Sequence, residues 1–161
     1  MNVTGKGTHR VSVAALPAVK DGERPHLLYR TLTYRGRKDE PKGFTERDYI
    51  RLLDAAHAQL GGPIVLVRDN LGSHRSKKMR RYIDTRGWLT VFYLPPYAPE
   101  LNPVEGVWAH LKASLTNLVE HTIDQLTDLI RTRLKRIQHR PAVILNRTHL
   151  QIPSNPTIEA L

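Results

Sequence analysis

Val11 and Val13 alternate with Ser12 at the head of a β-rich stretch over residues 10–18, and residues 26–34 (HLLYRTLTY) form a second such stretch. Between them lies the turn-prone Asp21-Gly22-Glu23-Arg24-Pro25, so the pair predicts a hairpin. A polar segment, RGRKDEPKG at 35–43, follows. Thr45 with Asp48 three positions on is a helix-capping pair, and Tyr49, Leu52, Leu53, Ala56 and Leu60 make the apolar stripe of an amphipathic helix that ends before Gly61-Gly62. The unbroken apolar run Ile64 to Val67, ending at Asp69, predicts a strand covered on both faces. A basic helix from about Arg75 to Arg86 then stops at Gly87, and Trp88 to Leu94 predicts another strand. Helix, strand, helix, strand is the pattern of an α/β sheet. Pro95, Pro96, Pro99 and Pro103 fill the next loop. Beyond it, Val104, Val107, Trp108, Leu111 and Leu115 make a second helical stripe, and Ile123, Leu126, Ile130, Leu134 and Ile137 a third. The segment from Pro141, with Pro153 and Pro156, predicts an irregular tail.

There is no internal repeat, low-complexity tract or long linker, and 161 residues suit one domain with a real core. The apolar share of 40% and charged share of 25% are those of a globular chain, which excludes extensive disorder. No apolar run approaches the ~18 residues of a membrane span. Val11 to Val19 superficially resembles a signal peptide, but it is short, contains Pro17 and alternates as a strand does. The absence of cysteine excludes disulfides and thiolate metal sites and suits a reducing, cytoplasmic compartment.

A net charge of +10 favours a polyanionic partner, nucleic acid ahead of an anionic membrane surface. The excess is concentrated. Arg68 to Arg86 holds seven basic residues against two acids, Arg131 to Arg140 holds five against none, and the rest of the chain balances. Arg75, Lys77, Lys78, Arg80 and Arg81 in the first cluster, and Arg131, Arg133, Lys135 and Arg136 in the second, are the candidate DNA contacts. Each cluster alone could equally be a solvated helix face.

Two segments carry candidate chemistry. Val65 to His74 and Leu94 to Glu105 each follow a hydrophobic strand and place an acid at the mouth of a loop, where open α/β sheets gather ligands. If the turn before Glu105 folds back over the strand ends, Asp69 and Glu105 could share a hard cation, and Mg²⁺ accepts one or two carboxylates with water and substrate phosphate. The residues also admit a plain structural role. Asp-Asn after a strand forms turns, Asn102 and Glu105 fit the N-cap and N3 positions of a capping box with Pro103 at N1, and a loop histidine such as His74 is ordinarily just exposed.

DNLGSH at 69–74 and LPPYAPELNPVEGVW at 94–108 resemble the second and third catalytic blocks of the mariner-type superfamily of DDE transposases, in particular those of bacterial insertion sequences. Asp69 and Glu105 stand 36 positions apart, in keeping with the mid-thirties spacing of that superfamily, and the likeness extends from roughly Gly5 to Arg140. The resemblance implies an RNase H-like α/β fold, a mixed sheet flanked by helices, over residues 1–140, with 141–161 as the tail. It makes Asp69 and Glu105 the second and third acids of a three-carboxylate site for two Mg²⁺ (or Mn²⁺) ions. Asn70 and His74 then belong to the motif beside the second acid, while Pro95, Pro96 and Asn102 shape the loop that holds Glu105. The implied reaction is hydrolysis of double-stranded DNA at transposon ends, followed by attack of the freed 3′-hydroxyl on target DNA.

This chain departs from that pattern at its start. The family's first catalytic Asp lies on a central strand upstream of the one at 10–18, and only MNVTGKGTH precedes that strand here. Asp21, the first acid, sits in the following turn. The expectation is therefore a fold lacking its first, central strand, a weakened metal site, and no activity alone. It would be a remnant, or a split-frame product that needs an upstream transposase segment or a second copy. A non-catalytic basic DNA-binding module and an RNase H-like nuclease unrelated to transposition are the competing readings.

Overall fold

The predicted hairpin forms. In the computed structural model, which describes residues 1–5, 9–69, 76–96, 98–115, 122–148 and 159–160, strand β2 (Arg10–Val19) pairs antiparallel with β3 (His26–Tyr34), from Arg10 opposite Tyr34 to Ala18 opposite His26. The connecting turn bends at Gly22, whose φ of 72° lies in the left-handed region that glycine adopts without a Cβ clash. Ahead of it, β1 (Asn2–Thr4) runs antiparallel to the start of β2.

Helix α1 (Glu46–Leu60) starts at the predicted cap: Asp48 accepts from the backbone N–H and the hydroxyl of Thr45, at 2.9 and 2.7 Å. Strand β4 (Ile64–Arg68) follows, then α2 (Lys77–Asp84), whose N-cap Ser76 accepts from Met79 N–H, then β5 (Leu89–Tyr93), parallel to β4. A 3₁₀ turn, Pro99–Leu101, leads into α3 (Val104–Ser114), and α4 (Ile123–Gln138) opens with a Thr122/Gln125 capping box.

Residues 141–148 correct the expected irregular tail. They form α5 (Pro141–Thr148), with Ile144 fully buried and Pro141 at the first helical position, where its missing N–H costs no hydrogen bond. Close passage of α5 over α3 depends on Gly106, because a Cβ there would lie 1.6 Å from the Arg147 carbonyl oxygen.

The strands join in one mixed sheet. The short β6 (Glu159–Ala160) pairs antiparallel with β2 at Ala18 and Val19 and parallel with β4 at Val65 and Leu66. Since β3 takes one whole edge of β2, β1 and β6 share the other. Read across the sheet, the order is β3, β2, then β1 and β6 end to end, then β4 and β5. On that central line, where the family's first strand is expected to be lacking, β1 and β6 pair with opposite ends of β2.

Alternation along the strands sends side chains into two cores, one on each face. Ala14, Ala18, Leu28, Ile64 and Leu66 pack with Leu52, Leu53 and Ala56 of α1 and with Met79 and Tyr82 of α2. Val11, Val13 and Leu27 pack on the other face with α3, α4 and α5, where Leu111, Ile130, Leu134 and Ile144 are fully buried. Helices on both faces of a mixed sheet give the RNase H-like α/β class that the sequence predicts.

Candidate active site

Asp69 is the residue next after β4, at the strand's carboxyl end. Strand alternation puts it on the same side as Val65 and Val67, opposite Ile64 and Leu66, which pack with α1. Glu105 is the second residue of α3. The proline-rich segment after β5 returns the chain so that both carboxylates line one cavity of about 270 Å³, together with Asn102, Arg68, Tyr49 and Trp108. Thirty-six positions of sequence are thus closed to a single site.

The first turn of α3 differs from the predicted capping box. Asn102 Oδ1 accepts from the Val104 N–H at 3.3 Å, the Glu105 N–H donates to the Asn102 carbonyl at 2.9 Å, and Pro103 is the cap residue. The Glu105 side chain is not used as a cap, which leaves its carboxylate at the cavity. Asn102 thus bonds to the first two residues of α3, Val104 and Glu105. Pro95 and Pro96 do not line the cavity; both are exposed. Asn70, His74 and Arg75 lie outside the described residues.

Charges converge here. Arg68 is half-buried with its guanidinium 5.9 Å from the Tyr93 ring centroid; burial pulls its pKa below the ordinary value, while Tyr93, Asp69 and Tyr49 oppose that shift. The Tyr49 phenol is pushed up, by burial first and by Asp69 second. Burial also lowers the pKa of the Met1 amine, with Glu105 and Asp69 pulling it back and Lys112 adding to the drop. Arg68 and Tyr49 are site residues that sequence reasoning missed. In the sequence Tyr49 reads as part of the apolar stripe of α1, and Arg68 as one charge of a basic cluster.

The two basic clusters do not share a surface. Lys77, Lys78, Arg80 and Arg81 are exposed on α2, in the layer of α1 and near β5. Arg131, Lys135 and Arg136 are exposed on α4, in the opposite layer and over β3; Arg133 there is half-buried. Arg131 also has local partners, donating to the Thr31 hydroxyl at 3.1 Å and lying 3.8 Å from Asp128. Of the two, only α2 lies on the β4–β5 side of the sheet, where the acids are.

A family profile described as DDE superfamily endonuclease matches residues 28–138, from β3 to the end of α4. The chain belongs to this family. The match spans β4, β5 and α3 and so includes both Asp69 and Glu105, whereas α5 falls outside it. Among curated proteins, the DDE-family chain is similar to the uncharacterized protein y4pE/y4sA of Sinorhizobium fredii (strain NBRC 101917 / NGR234), with 35% identity over 74 residues. Those residues are 45% of this chain and 47% of that protein, so the chain spans about half the length of the curated relative it matches. No helix among the described residues is long and apolar enough to cross a membrane.

Proposed function

We propose that this chain is part of a transposase catalytic domain, of the mariner-type, insertion-sequence kind, whose chemistry is metal-dependent cleavage and joining of DNA strands in the cytoplasm. The observation that carries the reading is the convergence of Asp69 and Glu105 on one cavity beyond the carboxyl end of β4. Those two acids form the donor set, since Mg²⁺ keeps several waters and takes one or two carboxylates plus substrate phosphate. Bound there, such an ion would supply charge stabilisation and an activated oxygen nucleophile for phosphodiester hydrolysis.

The chain's own residues do the positioning. Strand β4 fixes the Asp69 backbone. The Asn102 turn sets the start of α3, and the positive end of that helix favours a carboxylate in its first turn, where Glu105 stands. Arg68 places a cation beside Asp69 that can meet a DNA phosphate, and the exposed basic residues of α2 extend that field. No group of three or more potential metal-ligating side chains occurs among the described residues. Two carboxylates hold an ion weakly, so residues 1–161 alone are expected not to cut or join DNA.

Titration calorimetry with Mn²⁺ tests the reading. The unmodified chain should give heat of binding that is lost in Asp69→Ala and in Glu105→Ala. Equal heats in all three would remove the metal site and leave a basic DNA-binding module. Incubation with supercoiled plasmid and Mg²⁺ should give no nicking; nicking that vanishes in Glu105→Ala would show that two carboxylates suffice.

A further inference from the structure

Three large apolar side chains stand exposed among the described residues, and all three lie in the one segment that leads from the end of β5 to Glu105. Phe92 is 56% exposed, Leu101 53% and Tyr93 39%. Single surface hydrophobics are ordinary; a group of them beside a candidate active site points to something that covers them.

Alternation along β5 sorts two of the three. Leu89 and Val91 pack in the core shared with α1 and α2, so Tyr93 falls on that side, where its ring faces the Arg68 guanidinium. Thr90 and Phe92 fall on the other side, and both are exposed. Phe92 is in register with Val67, a residue of the cavity wall, and the Leu94 N–H donates to the Arg68 carbonyl at 2.8 Å, so the ladder still holds where Asp69 begins. One strand across and two residues along, the Phe92 backbone stands roughly 8 Å from that of Asp69, on the same side of the sheet. Leu101 immediately precedes Asn102, another residue of the wall. Among the described strands β5 pairs with β4 alone, which makes it an outer edge with the exposed cations of α2 on one side and Phe92 on the other.

We propose that Phe92 is a stacking platform for an unpaired DNA base next to the phosphate held at Asp69 and Glu105, so that the DNA taken by this site is a duplex whose reacting strand is locally unpaired. An intact duplex turns phosphates and sugars outward and keeps each base face covered by its neighbours. A phenyl ring has no donor for a phosphate, and its flat face is matched by a base that has left the stack. Charge selects this occupant: a net charge of +10, Arg68 against the Tyr93 ring, and Lys77, Lys78, Arg80 and Arg81 beyond the same edge suit a polyanion that carries flat apolar groups better than an apolar peptide. The inference rests on the proposed function, since it takes the reacting phosphate to lie at the two acids, and it adds the form of DNA that the site accepts.

Binding of the metal-free chain to a blunt duplex, and to the same duplex with a short unpaired end carrying 2-aminopurine, separates stacking from charge. The unmodified chain should prefer the unpaired end and quench the 2-aminopurine fluorescence. Phe92→Ala should weaken binding to the unpaired end about five- to a hundredfold and abolish the preference, while affinity for the blunt duplex and the salt slope stay unchanged. Phe92→Tyr should keep the preference, and Phe92→Leu, apolar but without a flat face, should not. Because the side chain is exposed, all three variants should melt with the parent, so a loss of binding is not a loss of fold. Equal affinity for the two DNAs, or quenching that survives in Phe92→Ala, would overturn the proposal, and self-association lost in Phe92→Ala would then give the surface to a second copy. Mn²⁺ titration of the same variants reads Asp69 and Glu105 separately: heat of binding in a chain with no preference for unpaired DNA would sink the platform and leave the proposed function standing.

Discussion

Replacing Gly106 by alanine should loosen the face of the domain that carries Glu105. The added Cβ would sit 1.6 Å from the Arg147 carbonyl oxygen and 2.6 Å from its carbonyl carbon, where ordinary van der Waals approach begins at 3.4 Å. Both neighbours are backbone, so no side-chain rotation relieves the clash and α5 itself must retreat. Arg147 is the penultimate residue of α5, and the retreat draws Ile144 out of a site where it is fully buried. Overpacking of this kind costs about 1–3 kcal/mol. Partial exposure of Ile144 adds up to about 1.5–3 kcal/mol. The gain from replacing glycine inside a helix returns only about 0.5–1 kcal/mol. A net loss of about 2–4 kcal/mol follows, and at roughly 2–4 °C per kcal/mol for a chain of this size the melting temperature should fall by roughly 4–16 °C. Thermal and urea unfolding followed by circular dichroism would read it. Gly87 is the internal control: nothing lies within 4 Å of a Cβ there, so Gly87→Ala should stay within about 0.5 kcal/mol of the parent. A Gly106→Ala protein that melted at or above the parent would show that helix propensity dominates and that α5 does not press on α3 as described.

Ile144→Ala should cost about 2–5 kcal/mol in urea unfolding, since the cavity it leaves is closed in by α3 and α4; a loss under 1 kcal/mol would mean that α5 is dispensable. Tyr82 has its pKa pushed up to about 12 by burial and by donation to Asp54 at 2.7 Å, so the folded state holds this proton more tightly than the unfolded chain. Its contribution is complete below pH 10, the ordinary tyrosine value, and is lost as pH rises towards 12; Tyr82→Phe should flatten that alkaline fall in Tm, and an unchanged pH profile would refute the assignment. Neutralising Lys77, Lys78, Arg80 and Arg81 together should reduce the salt slope of duplex DNA binding by up to about 0.9 for each phosphate no longer neutralised, and by more than neutralising Arg131, Arg133, Lys135 and Arg136 does. Equal effects from the two sets would place both layers on the DNA, and no effect from either would make them solvated faces.

Local pattern carried much of the secondary structure because its causes are local. Alternation at Val11, Ser12 and Val13 marked β2, the stripe from Leu52 to Leu60 and the Thr45–Asp48 cap marked α1, and the charged face of 131–136 over Ile130, Leu134 and Ile137 marked α4. Each depends on residues a few positions apart, which interact whatever the rest of the chain does. Asp69 and Glu105 were legible for a related reason: each follows a strand pattern, and the segments around them have a recognisable form. What the pattern could not carry was pairing between distant segments. Two or three residues at each end of the chain are too few for a periodicity, so β1 and β6 exist as strands only because β2 and β4 leave an edge for them. Helix α5 begins with a proline that reads as a breaker, and the surface against which Ile144 packs becomes visible only once α3 and α4 are assembled. The placement of Arg68 and Tyr49 beside Asp69, and of the two basic helices on opposite layers, follows from the crossover of α2 and the return of α4 over β3. Those are consequences of which face of the sheet each helix covers, a choice made by the packing of the whole core rather than by any short stretch of sequence.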